Sequence, residues 1–174
     1  MAKILSMADF KYMPWKNGAG STLELFKIPH AEKADSFYFR LSVARVEKDG
    51  PFSIFPGIDR TLICLSGEGF KLNYFKSHTT LKSFDPYQFN GEQEIFCELL
   101  GGPCVDFNVM VDREWGKARV ELKQLTPHQI ERLCFENMTF CYLHSSSPEL
   151  IVLGPGEIYE IKPSEAKTLI SVGI

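Results

Sequence analysis

The sequence is poor in the residues that build metal centres. Its four histidines, His30, His78, His128 and His144, stand apart, with no HxH pair and no HExxH motif. A metal site on facing strands needs a cluster of His and carboxylate ligands, and four isolated histidines supply none. No metal or other cofactor is therefore expected. The five cysteines, Cys64, Cys97, Cys104, Cys134 and Cys141, form an odd set without a CxxC pair, which excludes a disulfide framework and a zinc ribbon. They fall in apolar strings such as LICL, IFCEL and TFCYL, where a free thiol acts as a small core group, and a reducing cytoplasm is the expected location. No GxSxG elbow, Walker loop or Rossmann fingerprint is present. A formal net charge of −3 supplies no field to attract nucleic acid. No apolar run reaches membrane-spanning length, and the N-terminus lacks the pattern of a signal peptide, so no membrane partner is expected.

What the chain does have is the composition of a packed domain, 44% hydrophobic and 24% charged over 174 residues. Short runs rich in Phe, Tyr, Val, Ile, Leu and Thr recur, with Gly, Pro, Asn, Asp or Ser clusters breaking them about every ten residues. This rhythm predicts an all-β fold, with strands such as 21–28, 37–46, 60–65, 105–111, 139–144 and 169–172. One short helix is expected after Thr126-Pro127-His128-Gln129, running to about Phe135, because Thr can cap, Pro suits the first turn and Gln can close a capping box. RTLICLSGEGFKL with FDPYQFNGEQEIFCELL echoes MTFCYLHSSSPELIVL with GPGEIYEIKPSEAKTLI, the rhythm of a duplicated small barrel. The halves are expected at about 1–115 and 116–174, joined without a flexible linker into one compact domain.

Three stretches could carry chemistry. Trp15-Lys16-Asn17-Gly18-Ala19-Gly20 sets an aromatic ring, a cation and an amide at a turn just ahead of a strand that carries Glu24; a plain hairpin turn with a solvated Lys16 is the competing reading. The stretch 50–62 combines Phe52, Ser53 and Phe55 with the Asp59-Arg60 pair. Arg60 could clamp a carboxylate, but adjacent strand residues point to opposite faces, so Asp59 and Arg60 cannot share a pocket without a bulge. In Asp106-Phe107-Asn108-Val109-Met110, alternation puts Asp106, Asn108 and Met110 on one face. Alternation from Phe37 to Val43 likewise puts Arg40 and Ser42 together. Each polar set lines either a cavity or a solvated face, and periodicity does not distinguish the two.

At PWKNGAGSTLEL, FSIFPGIDRTL with LSGEGFKL, PYQFNGEQEIFCELLGG and DFNVMVDR, in that order along the first two-thirds of the chain, the sequence resembles the HutD/Ves family of bacterial cupin-fold proteins. The resemblance implies a cupin-like (RmlC-like) double-stranded β-helix barrel in a bicupin arrangement, without a catalytic metal, and a link to histidine degradation. Carried over by motif, the expected ligand-binding residues are Trp15, Lys16, Asn17, Glu24, Arg40, Ser53, Phe55, Arg60, Asp106 and Asn108. Their chemistry suits a small anionic metabolite of the urocanate or formylglutamate kind. Lys16 and Arg40 or Arg60 would hold the anion, Asn17 and Asn108 would donate amide hydrogen bonds, and Trp15 and Phe55 would wall the site. The leading expectation is a non-enzymatic binder that regulates histidine use. The alternatives are a metal-independent isomerase or hydrolase with Glu24 or Asp106 as base, and a protein-interaction module. Sheet edges leave room for a homodimer.

Overall fold

The computed structural model describes residues 1–174, folded from seventeen β-strands and no helix. In chain order the first are β1 (Lys3–Leu5), β2 (Lys11–Pro14), β3 (Gly20–Pro29), β4 (Phe37–Val46), β5 (Gly50–Pro51) and β6 (Ile58–Ser66). Next come β7 (Phe70–Tyr74), β8 (Ser77–Leu81), β9 (Pro86–Asn90), β10 (Phe96–Leu99), β11 (Cys104–Asp112) and β12 (Arg119–Leu125). The last five are β13 (Glu131–Cys134), β14 (Thr139–His144), β15 (Glu149–Leu153), β16 (Ile158–Ile161) and β17 (Lys167–Gly173). They form two compact units, Lys11–Lys117 and Met1–Phe10 with Ala118–Ile174. No helix is long and apolar enough to cross a membrane.

The unit Lys11–Lys117 holds a six-stranded sheet, in the order β2-β3-β4-β11-β6-β9, and a four-stranded sheet, β5-β10-β7-β8. Neither closes on itself by hydrogen bonding. One face of each contributes to a shared core: Val46, Leu62, Cys64 and Phe89 from the first, and Phe70, Leu72, Leu81 and Cys97 from the second. The period of two puts Leu62 with Cys64, and Phe70 with Leu72, on the same side of their strands. Each such fully buried Leu or Phe stabilises the unit by about 1.5–3 kcal/mol.

Register decides what stands beside this core. Ala44, Asp106 and Cys64 lie abreast across β4, β11 and β6; so do Ser42, Asn108 and Leu62, and then Arg40, Met110 and Arg60. Side chains directly opposite across an antiparallel ladder share a face, so the apolar end of that face continues into polar side chains. A bulge in β3 between Glu24 and Phe26 gives that strand one extra residue, the buried Leu25. Glu24 therefore pairs with Ser42 while Lys27 pairs with Arg40, and an even- and an odd-numbered side chain reach the same face.

The other unit contains a five-stranded sheet, β1-β15-β14-β17-β12, and the pair β13-β16. Leu133 and Ile161 of the pair join Leu125, Cys141, Leu143, Ile151, Leu153 and Leu169 in one core. The helix expected from Thr126 to Phe135 does not form. Thr126 opens a turn in which Gln129 N–H donates to the Thr126 carbonyl at 3.3 Å, and His128 takes a left-handed φ of 63°, which a right-handed helix cannot absorb. The His128 N–H goes instead to the Pro163 carbonyl at 2.8 Å, and residues 131–134 pair with β16. In this strand Leu133 is buried between exposed Arg132 and Cys134, a period of two that overrides the capping signal. Cys134 is accordingly exposed, whereas the other four cysteines are buried.

Candidate functional site

A cavity of about 510 Å³ opens on the six-stranded sheet of the unit Lys11–Lys117. Nine of the ten residues singled out in the sequence line it: Trp15, Lys16, Asn17, Arg40, Ser53, Phe55, Arg60, Asp106 and Asn108. Glu24 does not; its Oε2 accepts from Arg40 Nε at 2.8 Å and so fixes that guanidinium at the wall.

The rim is the β2–β3 hairpin. Trp15 and Gly20 close it through a backbone hydrogen bond of 2.9 Å. Asn17 Oδ1 accepts from Ala19 N–H at 3.0 Å, and Gly18 takes a φ of 64° that suits glycine. The Trp15 indole donates to Thr22 Oγ1 at 2.8 Å and lies against Gly20, where a Cβ would collide with the Arg45 carbonyl and press on the ring at 3.1 Å. Lys16, at the exposed tip, has no ion-pair partner.

The opposite wall is the loop from β5 to β6, pinned at several points. Phe52 N–H donates to the Ile95 carbonyl at 2.9 Å and Phe55 N–H to the Gly91 carbonyl at 2.8 Å. Gly57 N–H donates to Glu92 Oε1 at 2.7 Å. Arg113 grips Glu92 with both terminal nitrogens at 3.1 Å and Asp59 through Nε at 2.8 Å. Hydrogen bonds from Arg113 first, and from Gly57 N–H, hold the Glu92 carboxyl down to about 2. Asp59 thus faces away from the cavity while its neighbour Arg60 faces in, as strand alternation requires.

Arg60 forms the floor. It is 6% exposed and enclosed by three rings, with its guanidinium carbon 4.8 Å from the Phe89 centroid, 5.4 Å from Phe55 and 5.5 Å from Phe52. Its terminal nitrogens donate to Asn108 Oδ1 at 2.8 Å and to the Ser53 carbonyl at 3.3 Å, both neutral acceptors, and its buried Nε has no partner. Burial draws its pKa down to about 10; Arg40 lowers it further, and Asp106 acts against both. Because guanidinium can only donate, Asn108 must turn its oxygen to Arg60, and its amide nitrogen then donates to Asp106 Oδ1. Burial pushes the fully enclosed Asp106 carboxyl up to about 7, against the opposing pull of Arg60 and the Asn108 amide.

The lining thus carries three cationic groups, Lys16, Arg40 and Arg60, against one carboxyl that burial moves toward its neutral form. A buried cation satisfied only by neutral acceptors favours an incoming negative charge. Thr22, Ser42, Phe52 and Met110 also line the cavity without being singled out as ligand-binding. Ser42 and Met110 were legible from their period-two spacing to Arg40 and Asn108. Phe89 reaches Arg60 only through the β6–β9 register, for which no local motif exists. No group of three or more His, Cys, Asp and Glu side chains is placed to hold a metal ion.

Comparison with known proteins supplies the kinship. The chain is 38% identical over 120 residues to an uncharacterized 21.2 kDa protein in the hutC 3′ region of Pseudomonas putida, covering 68% of this chain and 63% of that one. It is 35% identical over 123 residues to Protein Ves of Citrobacter koseri, with the same coverage; the chain thus spans about 63% of the length of the curated relatives it matches. Among solved structures it superposes on a conserved protein of unknown function from Pseudomonas aeruginosa PAO1 with a TM-score of 0.81, at 25% identity over 99% of this chain and 98% of that one. HutD from Pseudomonas fluorescens SBW25 follows at 0.73, with the same identity and coverage. An oxalate decarboxylase of Bacillus subtilis, 7% identical over 98% of this chain and 76% of that one, superposes at 0.57, and that likeness marks the fold as cupin-like. With the HutD family profile matching residues 7–166, the chain belongs to the HutD family.

Proposed function

We propose that this chain binds a small anionic metabolite in the cavity above Arg60, without chemical turnover, and that the occupied form regulates histidine utilisation. One observation carries the reading: a buried guanidinium, walled by aromatic rings and met only by neutral acceptors, forms the floor of an accessible cavity. A carboxylate placed there would supply counter-charge to Arg60, and Arg40 and Lys16 add attraction from the wall and rim. The pathway follows from the names of the relatives, HutD and a protein of the hutC region.

The test is a thermal-shift titration against urocanate, formylglutamate, glutamate and histidine, with a divalent-metal panel alongside. The expected result is a saturable rise in Tm with one carboxylate, since a native-state ligand stabilises by mass action, abolished by Arg60→Ala and accompanied by no new product. No shift with any acid would refute the anion site.

A second reading rests on Asp106, whose carboxyl at about 7 suits a general base, whereas Glu24 is committed to Arg40. Under that reading the bound acid is converted to product, and Asp106→Asn stops the conversion.

A further inference from the structure

Asp106 shares Arg60, the cation that opposes its burial, with whatever enters the cavity. It is 1% exposed and makes no ion pair within 4 Å; its contact with Arg60 runs through the Asn108 amide. The charged and titratable groups facing it can be named strand by strand. β6 supplies Arg60 and Cys64, β4 supplies Arg40, β10 supplies Cys97, and its own strand supplies Cys104. Arg40 is already spoken for by Glu24. Burial pushes the Cys64 thiol up to about 12 and Cys97 higher still, and Cys104 donates its thiol hydrogen to the Gly69 carbonyl at 3.4 Å. The charge balance at the cavity floor therefore rests on Arg60 and Asp106.

We infer that the cavity takes up a proton together with its anion, Asp106 passing from carboxylate to carboxylic acid as the anion settles beside Arg60. The inference rests on the anion-binding reading above and names how that site is regulated. With Arg40 paired to Glu24 and Lys16 out at the exposed rim, Arg60 is the one unpaired cation at the floor, and a second anion beside it favours the neutral form of the buried first. The proton comes from solvent onto the Asp106 oxygen that Asn108 does not engage, leaving the Asn108–Asp106 hydrogen bond intact. With the ligand-free carboxyl at about 7, affinity is nearly level in acid. Above that it falls about tenfold per pH unit, until the pH reaches the higher pKa of the occupied site.

Isothermal titration of the full chain at pH 6 and pH 8, in two buffers of different ionisation enthalpy, counts the protons. Formylglutamate is a suitable probe because both its carboxylates ionise near pH 4 and stay charged throughout; acetate serves as the minimal carboxylate. The expected result at pH 8 is close to one proton taken up per anion, with Asp106→Asn taking up none and binding at pH 8 as tightly as the wild type does at pH 6. Tight binding by the wild type at pH 8 with no proton uptake would overturn the inference and leave the anion site standing. Uptake that persists in Asp106→Asn would overturn the assignment to Asp106. Absence of binding by both acids at both pH values would refute the anion site, and the inference with it. If Asp106→Asn fails to fold, the wild-type proton count decides alone.

Discussion

Asp106→Asn should stabilise the protein increasingly as the pH rises from about 4 to 7, hold that gain at higher pH, and change little below about pH 4. Burial raises the native carboxyl from 3.8 to about 7, while in the unfolded chain it keeps its ordinary value. Below pH 3.8 both states hold the proton and there is no penalty. Between that value and about 7 the native state keeps a proton that the unfolded chain has released, so rising pH favours unfolding by about 1.4 kcal/mol per pH unit. Across the window the loss comes to about 4 kcal/mol, a large share of the 5–15 kcal/mol that holds a typical domain together. Asparagine has the shape of the neutral acid and offers an oxygen to the same Asn108 N–H, but does not titrate. The stability gap between variant and wild type should therefore widen by about 4 kcal/mol in the variant's favour from pH 4 to pH 8. Other groups titrate equally in both proteins and cancel. Urea unfolding followed by tryptophan fluorescence suits the measurement, because Trp15 and Trp115 both lie in the unit that holds Asp106. With a slope of about 2 kcal/mol per molar urea, the midpoints should separate by roughly 2 M. A gap that stays level to within about 1 kcal/mol from pH 4 to pH 8 would refute the electrostatic account of this carboxyl.

Two further outcomes follow from packing. Gly20→Ala would drive a methyl group into the Arg45 carbonyl and the Trp15 ring, costing about 1–3 kcal/mol; a thermal melt reads the loss, and weakened anion binding should accompany it as Trp15 leaves the cavity wall. Iodoacetamide at pH 8 should label the native protein once, at exposed Cys134, because the other four thiols are buried and burial pushes those of Cys64, Cys97 and Cys141 up to about 12 or beyond; mass spectrometry of the adduct checks the position.

The all-β class was legible because turn residues interrupt β-branched and aromatic runs at short, regular intervals. The same-face sets were legible because a strand has a period of two: Arg40 with Ser42, and Asp106 with Asn108, needed only counting. The family motifs added the hairpin and the loop, so nine of the ten residues chosen from sequence surround one cavity. Glu24 fell outside because its carboxylate is taken up by Arg40, two residues from its cross-strand partner Ser42. The helix after Thr126 failed because a local capping pattern lost to the hydrogen-bond partners that β16 offers residues 131–134. Cys134 was misjudged with it, its burial depending on which side of that strand faces the core.

Composition, spacing and alternation by themselves determined the strand-rich architecture and the grouping of polar side chains, because each depends on neighbours along the chain, and the kinship came from the resemblance of ordered motifs to a known family. Only tertiary structure decided that those side chains face a cavity rather than solvent. Only it enclosed Arg60 with Phe89 from β9 and Phe52 and Phe55 from the loop, and buried Asp106 one amide away from that cation. Burial and the distance between charges are properties of segments far apart in sequence, and they set the protonation and unmet charge on which the proposed binding rests.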